Sequence, residues 1–206
     1  MMMKFIYYVV ATFVLFLSIG CSNKGISPPK KADSNLSDIN SSMYALSYCQ
    51  SHFDIEDIND PLYGADKIVV YKKEHKMLVY RKGELVETFP VSMGKNALLG
   101  DKIAEGDYRT PIGNYRIINK KCHERLYRAL SISFPNQQDI QESKKQGKSS
   151  GGGITIHGQP IWNANGNGDA YTLTQDWTEG CIAVTNVAME RLWNTIKMST
   201  EIEIYP

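Results

Sequence analysis

Residues 153–158 read GITIHG and residues 178–186 read TEGCIAVTN. The first stretch alternates branched and polar side chains at the period of a strand and ends on His157 and Gly158. The second brings Cys181 out of a glycine turn into a short apolar run. The two side chains stand 24 residues apart with an Asn/Gly-rich loop between them. Two strands flanking one long loop bring such residues side by side, which no single helix does. A free thiol is only slightly ionised at neutral pH, so a cysteine that attacks a carbonyl needs a base, and His157 is the candidate.

Working outward, KIVVY, MLVYRK and ELVETFPVSMG between residues 67 and 94 are rich in branched and aromatic residues. They are separated by the polar turns Lys73 to Lys76 and Lys82-Gly83, and read as an antiparallel meander with His75 exposed in a turn. In GDYRTPIGNY (106–115) Pro and Gly shape the backbone before a strand over NYRII, and RALSISF is the next strand, ending at FPNQQD (134–139). ESKKQGKSSGGG (142–153) reads as a long polar loop, either a lid or a surface insertion. Beyond Cys181, Asn186 is positioned to cap a helix from Val187 to about Lys197, and TEIEIYP closes as a strand. Upstream, Leu36, Ile39, Met43, Leu46 and Cys49 repeat at helical spacing. The acidic HFDIEDINDP that follows reads as a solvated loop, since it lacks calcium-loop spacing.

The chain has 206 residues, 42% hydrophobic and 22% charged, the composition of a globular protein with one core. A formal charge of +1 carries no basic footprint for a nucleic-acid partner. At the N-terminus Lys4 precedes an uncharged apolar run of 15 residues, Phe5 to Ile19, too short to span a bilayer. It reads as an export signal, and LSIGC (17–21) resembles the lipobox of bacterial lipoproteins, in which the cysteine, here Cys21, is acylated. The Ser/Lys/Pro-rich stretch behind Cys21 is too poor in packing residues to fold. The expected organisation is a signal over 1–20, a tether over 21–35, a helical segment packed on the domain over 36–65, and a catalytic domain over 66–206.

The ordered set GDYRTPIGNY, FPNQQD, IHG (156–158) and TEGC (178–181) resembles the L,D-transpeptidase catalytic domain, the YkuD-type family. GCIAVTN after the thiol is most similar to the branch holding murein L,D-transpeptidases and related peptidoglycan amidases. The resemblance implies a mainly β fold with short helices (α+β) built on twisted mixed β-sheets. It also implies a thioester on Cys181 formed with a peptidoglycan stem peptide. His157 would act as base and then acid, the Gly158 carbonyl would orient it, and the Gly180 and Cys181 amides would face the oxyanion. Two positions depart from the pattern. Glu179 stands where members commonly carry histidine, and Ala183 where they carry arginine.

Trp162, Tyr171 and Trp177 lie in the loop between His157 and Cys181, where they either line a substrate cleft or simply pack. Export implies an oxidising compartment, so Cys49 and Cys122 are free to bridge, though sequence gives no connectivity. No CxxC or HxxxH spacing supports zinc, and neither metal nor cofactor is expected. Three functions follow: transfer of the acyl group to an amine of a second stem or of a wall-linked envelope protein; hydrolysis of the same thioester, as a carboxypeptidase or amidase; or non-catalytic wall binding. The expected location is the periplasmic side of the envelope, with a lipid anchor at Cys21, the outer membrane included.

Overall fold

The structure is a computed structural model that describes residues 46–206. The signal, Cys21, the tether and the start of the helical segment lie outside the described residues. Strands β1 (Lys67–Tyr71), β2 (Lys76–Arg81) and β3 (Glu84–Pro90) form the antiparallel meander. Lys82 and Gly83 both take positive φ, 53° and 83°, the two-residue turn whose twist matches its flanking strands. Strands β4 (Gly113–His123) and β5 (Tyr127–Ile132) form a second hairpin. Helix α1 (Gln137–Lys145) precedes β6 (Thr155–His157), and short helix α2 (Asp169–Thr172) precedes β7 (Ile182–Ala183). Helix α3 (Asn186–Thr195) and strand β8 (Glu201–Tyr205) complete the chain.

The sheet order is β3-β2-β1-β8-β4-β5-β6-β7. The last strand therefore enters the middle, parallel to β1 and antiparallel to β4. Its alternation explains the placement: Ile202 and Ile204 are buried, while Glu201 and Glu203 lie on the other face, where Glu203 pairs with Lys67 at 2.7 Å. The fold is thus mainly β with short helices and mixed strand directions. One apolar cluster holds Ile68, Val70, Leu130, Ile156, Ile182 and, from α3, Leu192 and fully buried Trp193.

The two edges of the strip meet beyond β3. The Ser92 amide donates to the Ala183 carbonyl at 2.9 Å and the Ala183 amide to the Ser92 carbonyl at 2.7 Å. One step on, the Thr178 amide donates to the Met93 carbonyl at 3.0 Å and the Lys95 amide to the Thr178 carbonyl at 3.0 Å. The segment carrying Cys181 is therefore held between β6 and residues 91–95.

Three expectations are corrected. The polar stretch before β6 is partly helix, because Asn136 and Asp139 form a reciprocal cap: the Asp139 amide donates to Asn136 Oδ1 and the Asn136 amide to Asp139 Oδ2. Helix α3 is capped by Thr185, whose Oγ1 accepts from the Ala188 amide at 3.1 Å, rather than by Asn186. In the acidic segment Asp60 is not simply solvated; Arg191 of α3 donates to it from Nε at 2.8 Å and from Nη2 at 3.1 Å, which holds its carboxyl below the usual range.

Cys49 and Cys122 are bridged, tying the helical turn over residues 46–51 to β4. Sequence separation of 73 makes the constraint on the unfolded chain worth about 4 kcal/mol on a loop-entropy basis. Replacing Cys49 and Cys122 by serine should lower unfolding free energy by roughly 2 to 5 kcal/mol. Chemical denaturation checks this, and wild-type protein measured in reductant should fall to the same value.

Candidate active site

Strand β6 pairs antiparallel with β5 (Ala129 opposite His157) and parallel with β7 (Ile156 opposite Ile182). Ile156 and Ile182 are both fully buried in the core, so the alternate positions Thr155, His157 and Cys181 project from the opposite face. Thr155 Oγ1 accordingly lies 3.6 Å from Cys181 Sγ. His157 and Cys181 line one cleft of about 610 Å³, together with Trp162, Trp177, Lys95 and Arg125. A second cavity of about 220 Å³ reaches Cys181 from its other side, bounded by Gly151 to Gly153, Glu105 and Lys102. Glu179 is exposed and borders both.

The imidazole of His157 is 1% exposed. Its Nδ1 lies 2.7 Å from the Gly158 carbonyl, which only accepts, so Nδ1 carries the proton and Nε2 the lone pair. Burial lowers its pKa to about 4 against a smaller upward pull from the Gly158 carbonyl, so the ring is neutral at neutral pH. Trp177 meets the ring edge to face at 5.6 Å between centroids. Gly158 is sterically required here, since a Cβ would lie 2.4 Å from Asn186 Oδ1. That oxygen instead accepts from the Gln159 amide at 2.8 Å, and Asn186 Nδ2 donates to the Ala164 carbonyl at 3.1 Å. Asn186 therefore fixes the chain leaving His157 instead of capping a helix.

The thiol donates to the Gly153 carbonyl at 3.8 Å and accepts from Thr155, so it rests beside the glycine run and not on the imidazole. The turn before it is locked by Thr178, whose Oγ1 accepts from the Gly180 amide at 3.1 Å and donates to the Cys181 carbonyl at 2.7 Å. The Gly180 amide, expected to face an oxyanion, donates here to Thr178 Oγ1. The Cys181 amide, by contrast, has no partner among the described residues. Gly180 takes φ +132°, and a Cβ there would meet the Arg109 carbonyl at 2.7 Å. No L side chain fits that turn.

Of the aromatic candidates, Trp162 and Trp177 line the cleft and Tyr171 does not. The loop folds on itself: Asn163 Nδ2 donates to Asp169 Oδ1 at 2.8 Å and the Gly168 amide to Asn163 Oδ1 at 2.6 Å, and Tyr171 belongs to the small helix this creates. Ala183 is fully buried beside Ser92. His75, read as an exposed turn residue, instead sets Nε2 3.1 Å from Asp176 Oδ2, while Asp176 Oδ1 accepts from the Met93 amide at 2.8 Å. Thr155, Asp176 and Thr178 were not singled out from sequence. Their partners are distant in the chain or are backbone atoms, which leave no spacing signal.

The sequence profile of the YkuD family, the L,D-transpeptidase catalytic domain, matches residues 65–204. The chain belongs to this family. Among solved structures, this YkuD domain is similar to the helical cell shape determining protein Pgp2 from Campylobacter jejuni, with 26% identity and TM-score 0.51 over 79% of this chain and 54% of Pgp2. Bd1075 from Bdellovibrio bacteriovorus follows with 24% identity and TM-score 0.49 over 74% of this chain and 51% of that one. An L,D-transpeptidase from Xylanimonas cellulosilytica has 15% identity and TM-score 0.47 over 82% of this chain and 77% of that one. The chain thus spans about half the length of the first two. No curated protein matches by sequence.

The neutral burial of His157 has a measurable cost in acid. As pH falls from about 6.5 to about 4 the unfolded chain binds a proton that the native imidazole refuses, so native stability drops; above that window the effect is absent. The shift corresponds to about 3 kcal/mol. In His157→Gln this slope disappears, and the stability difference between wild type and variant should shift by about that amount between neutral pH and pH of about 4. Urea unfolding across the window checks it; parallel slopes would mean the imidazole is not held neutral.

Proposed function

We propose that this protein is a cysteine-dependent L,D-transpeptidase acting on peptidoglycan stem peptides. What supports the reading is that an open thiol shares its cleft with a buried, neutral imidazole whose Nδ1 is committed to Gly158, leaving Nε2 as the basic nitrogen. In the first step the sulfur leaves the Gly153 carbonyl, Nε2 takes the thiol proton, and sulfur adds to the carbonyl carbon of an L-to-D peptide bond. The developing oxyanion is faced by the Cys181 amide. The tetrahedral species collapses as the C–N bond breaks; the imidazolium gives its proton to the leaving amine, and a thioester remains on Cys181. An acceptor amine then attacks the thioester, Nε2 removes its proton, and that proton returns to sulfur as the new amide forms.

Openings on both sides of the sulfur let donor and acceptor approach separately, which favours transfer. The same openness admits water, so hydrolysis by the same thioester, as an L,D-carboxypeptidase or amidase, is the competing reading. Export fits the Cys49–Cys122 bridge, since such bonds persist in oxidising compartments. With the lipobox-like LSIGC, the proposed location is the periplasmic side of the envelope, anchored through Cys21. Likeness to a cell shape determining protein extends the proposal to control of cell shape through the wall.

Incubation with a defined tetrapeptide muropeptide, with and without an amine acceptor, should give a cross-linked product by mass. A trimmed product alone would assign hydrolysis. A carbapenem should add its mass to Cys181, and Cys181→Ala should lose both the adduct and turnover by roughly a thousandfold or more. Retained turnover in that variant would overturn the assignment.

A further inference from the structure

The two openings onto Cys181 differ in charge. On the imidazole side the cleft walls carry Lys95 and Arg125, with Glu179 at the rim. On the glycine side Glu105 and Glu179 stand with Lys102, but Lys102 Nζ is already paired with Asp107 at 2.7 Å. Lys95 and Arg125 pair with no carboxylate among the described residues. Both are exposed, yet the backbone beneath each is fixed.

Lys95 follows Gly94, where a Cβ would lie 2.9 Å from the Gly180 Cα, and its own amide donates to the Thr178 carbonyl at 3.0 Å. Its ammonium sits 5.2 Å from the centre of the Tyr108 ring. Arg125 sits in the β4–β5 turn, its amide donating to His123 Nδ1 at 3.1 Å. That turn is pressed onto the active site: a Cβ on Gly158 would come within 3.2 Å of the Leu126 carbonyl. The two cations thus flank the sulfur and imidazole from elements locked to the cysteine turn and to the histidine strand respectively.

We propose that Lys95 and Arg125 bind the carboxylates of the acyl donor and so select an acidic stem peptide on the imidazole side of Cys181. This rests on the donor being a peptide, as proposed above. Guanidinium and ammonium groups without an internal counter-charge favour a carboxylate, while Glu179 at the shared rim disfavours one passing to the glycine side. The acceptor amine then approaches past Glu105 and Glu179, where negative charge suits an ammonium.

Binding to Cys181→Ala protein tests this without requiring turnover. Affinity is measured for a stem tetrapeptide with free carboxylates and for the same peptide with those carboxylates converted to amides. Adding Lys95→Gln and Arg125→Gln together should weaken binding of the acidic peptide about tenfold and leave the amidated one unchanged. Raised salt should erode the preference for the acidic peptide. An equal loss for both peptides, or no loss for the acidic one, would overturn the proposal while leaving the thioester reading, tested by the Cys181 adduct, untouched.

Discussion

Everything at the active site depends on the reciprocal pair of hydrogen bonds between Ser92 and Ala183. A two-residue β7 attached only to the three-residue β6 would be a poor platform for a nucleophile. Closing the far edge of the sheet onto it converts an edge into an interior position, with main-chain partners on both sides. The closure is itself supported from behind. Ser92 Oγ donates to the Thr172 carbonyl, Asp176 accepts from Met93, and His75 braces Asp176 while its carbonyl accepts from the Val91 amide at 3.0 Å. Residues from the first hairpin thus hold the cysteine turn, though none of them touches the sulfur.

Glycine sets how tightly these layers approach. Any side chain at Gly94 would strike the Tyr108 carbonyl at 2.2 Å, and one at Gly180 the Arg109 carbonyl at 2.7 Å. Together they let two backbone segments and residues 108–109 meet where the thiol emerges. The same economy of space appears at the base. His157 is so deeply packed that it is held neutral, and the hydrogen bond from its ring to the Gly158 carbonyl decides which nitrogen is basic. Burial and tautomer are two outcomes of one packing choice.

The strands were legible because alternation is local: TEIEIYP and GITIHG announce their buried faces without reference to anything else. The thiol and imidazole were legible as a family pattern around two strand ends. What stayed hidden was pairing between distant elements. Nothing in residues 201–205 says that they separate β1 from β4, and nothing in Ser92 names Ala183. Asn136 was hidden for another reason. Its cap uses Asp139 where glutamate or glutamine is the usual signal, so the helix start leaves no familiar pattern in the sequence. Asn186 has the sequence position of a helix cap, but its amide serves two main-chain groups across the loop, a use that leaves no local signal.

The N-terminal bridge reaches the chemistry by the same logic. Cys122 lies at the end of β4, next to the turn that presents Arg125 and packs Leu126 on Gly158. On the far side of that turn Arg128 is fully buried, paired with Glu190 at 2.9 Å and set 5.0 Å from the centre of the Trp193 ring. Its carbonyl accepts from the Gly158 amide at 3.2 Å. The Glu190 carboxylate and the aromatic faces offset the buried charge, although Nε and Nη1 of Arg128 make no well-aligned hydrogen bond among the described residues, so losing the carboxylate would leave the guanidinium stranded in the core. The hairpin end is therefore pinned by a covalent bond on one strand and, on the other, by a buried arginine paired with a half-buried glutamate. Gly158, and through it the tautomer of His157, inherits that rigidity.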